Sequence, residues 1–141
     1  IFGDQDKKLE ELSEKKIAEK VELWQERWEK ICKSKNMNDI QLVISIQPYL
    51  GVGNKDFSDW EIMIKQTNKK IDVSEFYPVI INELETIDSN CAVTLDLTNV
   101  FDEYSETIFY DLPHLGDFGN KIVADRIYEE IIPVLKENIH R

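Results

Sequence analysis

The chain has 141 residues, one domain's worth, and its 42% hydrophobic content is enough for a globular core. Twenty-eight acidic against 17 basic residues leave a net charge of −11, a poor basis for binding nucleic acid or an anionic membrane, both of which call for clustered Lys and Arg. No apolar run is long enough to span a membrane, and no Cys/His cluster suggests a metal. Residues from Asp4 to about Lys35 read as one long amphipathic helix: Leu9, Leu12, Ile17, Val21, Trp24, Trp28 and Ile31 recur at mostly three- and four-residue steps. Its apolar stripe is expected to pack on a sheet face, with Trp24 and Trp28 as buried anchors and Glu26–Lys30 as a surface pair. Cys32 near its end and Cys91 further on read as two reduced, half-buried thiols.

Asn36–Asp39 is a turn cluster, and Ile40–Ile46 is a short β-branched run of the kind buried on both faces of a parallel sheet. Gln47-Pro48 ends it, since Pro has no N–H for the ladder. Tyr49–Lys55, with Gly51 and Gly53, is then a flexible loop at the strand's carboxyl end, the edge where open α/β sheets bind ligands. Ser58 and Glu61 form a capping box for a helix to about Lys70, with Trp60, Ile62, Met63 and Ile64 as its apolar surface. Ser74 is expected to cap a further helix to about Thr86, with Pro78 in its first turn. Cys91–Leu97 is the second buried strand. Asp96 at its end either shapes a pocket or forms a turn. The order of elements predicts an α/β domain with right-handed crossovers onto a parallel sheet.

Ile108-Phe109-Tyr110 is a brief extended piece leading into Asp111-Leu112-Pro113-His114, and a helix follows from about Asp117 to Asn138. Its stripe is Ile122/Val123, Ala124, Ile127, Ile131 and Leu135, Asp117 suits its N-cap, and Pro133 is expected to kink its last turns. A carboxylate three residues from an imidazole on a tight loop can hold one ring nitrogen and leave the other free to take a proton. Since His140 lies at the C-terminus, His114 is the candidate for acid/base work near neutral pH. The same spacing also fits a turn Asp with a local histidine partner.

Asp111-x-x-His114-Leu115-x-Asp117-x-Gly119-Asn120-x-Ile122-Val123-Ala124-x-x-Ile127 resembles the last sequence block of the SGNH (GDSL-type) hydrolases. The Leu42-to-Pro48 strand with its Gln-Pro exit and the Leu95–Thr98 strand end fall in the family's order as well. The resemblance implies a three-layer α/β/α, flavodoxin-like domain of which residues 1–141 are the C-terminal portion. It implies a serine ester hydrolase in which Asp111 and His114 are two members of a Ser-His-Asp triad, with no metal or organic cofactor. Gln47, Pro48, Tyr49 and Leu50 would border the substrate, with ordinary packing or a mobile lid as their other reading. Gly3-Asp4-Gln5 has Gln where the family's nucleophilic Ser would stand, and the family's Gly-x-Asn block is missing too. A separate segment or chain carrying the Ser is therefore expected as partner, and the substrate is a small-molecule or carbohydrate ester. Two alternatives stand beside this: a non-catalytic acidic α/β interaction module, and acyl transfer to a sugar hydroxyl on the same scaffold.

Overall fold

The computed structural model of the chain describes residues 2–34, 42–68, 73–87 and 92–139, with side chains from 14 to 136 within those segments. Among the described residues the protein is mixed α/β: α1 (Phe2–Cys32), β1 (Leu42–Ile46), α2 (Asp59–Thr67), α3 (Phe76–Leu84), β2 (Ala92–Asp96) and α4 (Asp117–Ile139). The strands pair in parallel as β1-β2, and the Leu97 N–H carries the pairing one step further by donating to the Ile46 carbonyl at 3.1 Å. By its internal contacts the chain forms two compact units, Ile1–Val43 with Val73–Thr94 and Ile44–Asp72 with Leu95–Arg141.

In the first unit α1 packs on α3, where a sheet face was expected. The side chains it commits are Val21, fully buried, and Trp24 and Trp28, half-buried and edge-to-face at 6.4 Å. A stripe that narrow fits between the side chains of one neighbouring helix. Ile31 and Leu23 stay exposed, and the side chains of Leu9 and Leu12 lie outside the described residues. Tyr77, Leu84, Ile87 and Ala92 are also buried in this unit, and the Gln25 amide donates to the Thr86 hydroxyl at 2.8 Å. Surface pairs Lys15–Glu19, Glu26–Lys30 and Glu29–Lys33 line the outer face. The first turn of α3 is closed by backbone, Phe76 and Tyr77 N–H both donating to the Val73 carbonyl; Glu75, not Ser74, occupies the cap position. Pro78 sits in that first turn as expected.

Cys32 is disulfide-bonded, which corrects the expectation of a reduced thiol there; Cys91 lies outside the described residues. The strands are also less covered than their composition suggests. Ile44 and Ile46 are buried, but Ser45 between them is exposed, as is Asp96 at the end of β2. Alternate residues of a strand point to opposite faces, so β1 buries one face and opens the other near its carboxyl end.

The second unit has its core in Leu50, Ile64, Phe101, Ile108, Phe109 and Leu112, with Phe101 and Phe109 edge-to-face at 5.5 Å. The loop after β1, expected to be flexible, is tied down along its length. Leu50 N–H donates to the Leu112 carbonyl at 2.9 Å, and the Asn54 N–H and Nδ2 both donate to the Asp102 carboxylate, at 2.8 and 3.0 Å. Gly53 makes that path possible: its φ is +81°, and a Cβ there would lie 2.6 Å from the Thr98 carbonyl oxygen. Gly53→Ala is therefore expected to destabilise the fold by at least about 1–2 kcal/mol, read as a lower melting temperature by circular dichroism.

The Ser58–Glu61 capping box of α2 is present. The helix is rolled differently from the expected stripe, however. Trp60, Ile62 and Met63 are exposed at 47%, 41% and 47%, while Glu61 is at 0% and Ile64 at 6%. In α4, Asp117 is the first helical residue, one position inside the expected cap. Ile122, Val123, Ile127 and Ile131 are half-buried, Ala124 and Leu135 are exposed, and the helix runs on through Pro133. Arg126 pairs outward with Glu130 at 2.7 Å. No helix among the described residues is long and apolar enough to cross a membrane.

Candidate active site

The segment from Ile108 to Gly116 is a closed loop. Phe109 and Leu115 bridge in antiparallel fashion, the Tyr110 N–H donates to the His114 carbonyl at 2.8 Å, and the Gly116 N–H donates to the Ile108 carbonyl at 2.8 Å. That closure folds Asp111 back onto His114. The Asp111 Oδ1 accepts the His114 backbone N–H at 3.0 Å, and both carboxylate oxygens lie 2.9 Å from His114 Nδ1. The Nδ1 contact, then the backbone N–H, hold the Asp111 carboxyl below the usual range. An ionised carboxylate only accepts, so Nδ1 carries the proton and the Nε2 lone pair is left available. The side chains are 74% (His114) and 54% (Asp111) exposed, and no hydrogen bond described for His114 reaches Nε2.

The stretch after β1 lies beside this loop, tied to it by the Leu50–Leu112 backbone bond. Tyr49 is half-buried against the core, and burial, then the Asp111 charge, push its hydroxyl pKa up. Gln47 is exposed. Pro48 and Leu50 are buried, and Leu50, at 3%, belongs to the core cluster: its backbone reaches the loop and its side chain packs in the interior. Trp60 is exposed on α2. Asp96 forms a turn, its Oδ1 accepting the Thr98 N–H at 2.9 Å and the Thr98 hydroxyl at 2.7 Å.

An open groove of about 590 Å³ runs along Asp96, Asp102, Glu103, Asp125 and Glu129, with Arg126 as its basic residue. None of its lining residues belongs to the Asp111–His114 loop, so this groove and the acid/base pair are separate features. Among the described residues no group of three or more His, Cys, Asp or Glu is placed to hold a metal ion.

The residue that sequence reasoning undervalued is Glu61. Beyond capping α2, its Oε1 accepts the N–H groups of Ile108 and Phe109 at 2.9 and 3.1 Å, and its Oε2 pairs with Lys55 Nζ at 2.7 Å. A sequence signal for it exists: Glu61 interrupts the apolar run Trp60-Glu61-Ile62-Met63-Ile64. No protein family, curated protein or solved structure matches this chain.

Proposed function

We propose that this chain is the C-terminal portion of an SGNH-type serine ester hydrolase, supplying the His and Asp of a Ser-His-Asp triad within a three-layer, flavodoxin-like α/β/α domain. The observation that carries the reading is the Asp111 carboxylate at 2.9 Å from His114 Nδ1 on an exposed loop, directly before the α4 helix. In this mechanism His114 Nε2 takes the proton of a Ser hydroxyl as that oxygen attacks the acyl carbonyl of the ester. It then returns a proton to the leaving alcohol, while Asp111 steadies the tautomer and the imidazolium. Gln47 and Tyr49 border the substrate, a small-molecule or carbohydrate ester.

The nucleophile comes from a polypeptide segment or chain outside these residues. Supporting this, the Ser58 hydroxyl is engaged as the α2 cap and accepts from Thr107 at 2.8 Å. No serine in the chain has the flanking glycines of a nucleophile elbow. The test is a fluorophosphonate serine probe applied to the native assembly. Label is expected on the partner segment and is expected to disappear with His114→Ala. Label on a serine within residues 1–141, or label indifferent to His114, would overturn the reading.

A further inference from the structure

A glutamate at the third position of a helix needs only one hydrogen bond to complete a capping box, and Glu61 makes that one, accepting the Ser58 N–H on Oε2 at 2.9 Å. Such a residue normally sits at the surface. Here the side chain has no exposure at all, and desolving a carboxylate that fully is costly unless every lone pair is used. Every one is. Oε2 also takes the Lys55 ammonium at 2.7 Å, and Lys55, itself buried, spends a further donor on the Asp56 carbonyl at 2.8 Å. Oε1 takes two consecutive backbone N–H groups, Ile108 at 2.9 Å and Phe109 at 3.1 Å, both from residues almost wholly buried. Against the balance of desolvation, which raises it, the bonds from Lys55 and the backbone hold the Glu61 carboxyl below the usual range.

Those two amides are the root of the Asp–His loop. The same Ile108 residue accepts the Gly116 N–H through its carbonyl, so one gripped residue anchors the entry and the exit of the loop. The beginning of α4 presses on it as well: a Cβ on Gly119 would lie 2.7 Å from Ile108 Cγ2. Phe109 is two residues from Asp111, and the Tyr110–His114 backbone bond continues the same ladder.

We propose that Glu61 is the positioning residue of the Asp111–His114 pair: its carboxylate, neutralised by Lys55, holds the Ile108–Phe109 backbone from which the loop springs and so sets the contact between Asp111 and Nδ1. The meaning of this for catalysis rests on the hydrolase reading; the geometry does not. Gln is not an equivalent. It can offer its oxygen to Ile108 and Phe109 only by turning its amide N–H groups toward Lys55 Nζ and the Ser58 N–H, donor against donor.

The test reads the pair directly, by ¹⁵N NMR of the His114 ring, with no ester turnover involved. In the unaltered chain the Nδ1–H tautomer is expected to dominate and the Ile108 and Phe109 amides to exchange at least about 100-fold more slowly than that of Asp111. In Glu61→Gln the ring is expected to shift toward the Nε2–H tautomer and the Asp111 carboxyl to titrate closer to the ordinary value. Glu61→Gln combined with Lys55→Met, which removes the conflict with Lys55 and leaves only that with the Ser58 N–H, is expected to restore part of the Nδ1–H signal. Thr107→Val, cutting only an exposed tie to Ser58, is expected to leave it unchanged. A folded Glu61→Gln chain that keeps the full Nδ1–H tautomer would overturn the proposal. So would Ile108 and Phe109 amides that exchange as fast as Asp111's in the unaltered chain, a measurement that decides the matter even if Glu61→Gln does not fold. Probe labelling that ignores His114 would sink the hydrolase reading and leave these readouts untouched.

Discussion

Replacing His114 by Ala in the native assembly is expected to lower ester turnover by about 10⁴- to 10⁶-fold, the range seen when a triad member is lost. The same change is expected to leave the melting temperature within about 2 °C, because the imidazole is 74% exposed and surface substitutions of that kind shift stability little. Short-chain aryl-ester hydrolysis and thermal unfolding of the same preparations check both halves. Asp111→Asn separates orientation from chemistry. Its Oδ1 can still accept the His114 N–H, but an amide N–H facing Nδ1 forces the ring proton onto Nε2, which then has no lone pair to accept the Ser proton. A fall of about 10⁴-fold is expected from that wrong tautomer alone. Turnover surviving in either variant would mean that the pair is a surface contact and that ester hydrolysis runs on other residues.

What could be read from the sequence follows the range of the interaction. The Asp111–His114 contact spans only three residues, within reach of a tight loop, so spacing together with the flanking block could suggest it. The Ser58–Glu61 capping box is equally local and was equally legible. Long-range partners were not. Nothing near Glu61 in the chain says that its other oxygen accepts from residues 47 and 48 positions away. The same holds for α1, whose periodicity gave the helix and its Val21 face but not α3 as the neighbour. The β-branched content of β1 gave the strand, while the exposure of Ser45 depends on what covers each face, which composition cannot specify. Leu50 was placed in the right neighbourhood for a reason carried by its backbone, and its side chain turned out to serve the core.

The buried Lys55–Glu61 pair makes the largest stability prediction. Lys55→Met keeps the apolar stem and removes the ammonium, leaving a carboxylate with no exposure and no counter-charge. Loss of one partner of such a pair costs about 3–5 kcal/mol, a large share of the 5–15 kcal/mol typical of a whole domain. The cost is expected to depend on pH with a definite sign. In the unaltered chain the Glu61 pKa is depressed, so its charged form contributes stability at neutral pH that is lost as pH falls through that depressed value. Removing Lys55 takes away the strongest of the lowering influences and leaves desolvation, the largest cause, acting upward, so the folded-state pKa of Glu61 rises in the variant. Between the two folded values the variant binds a proton that the unaltered chain does not. The penalty of Lys55→Met therefore shrinks as pH falls from the variant's raised folded-state value of Glu61 to the depressed one of the unaltered chain. Adding Glu61→Gln to Lys55→Met removes the orphaned charge altogether and is expected to recover stability at pH 7 over Lys55→Met alone. Urea unfolding of the three chains at neutral and acid pH measures this; a penalty independent of pH, or a double variant less stable than Lys55→Met, would show that the charge of Glu61 is not what Lys55 balances.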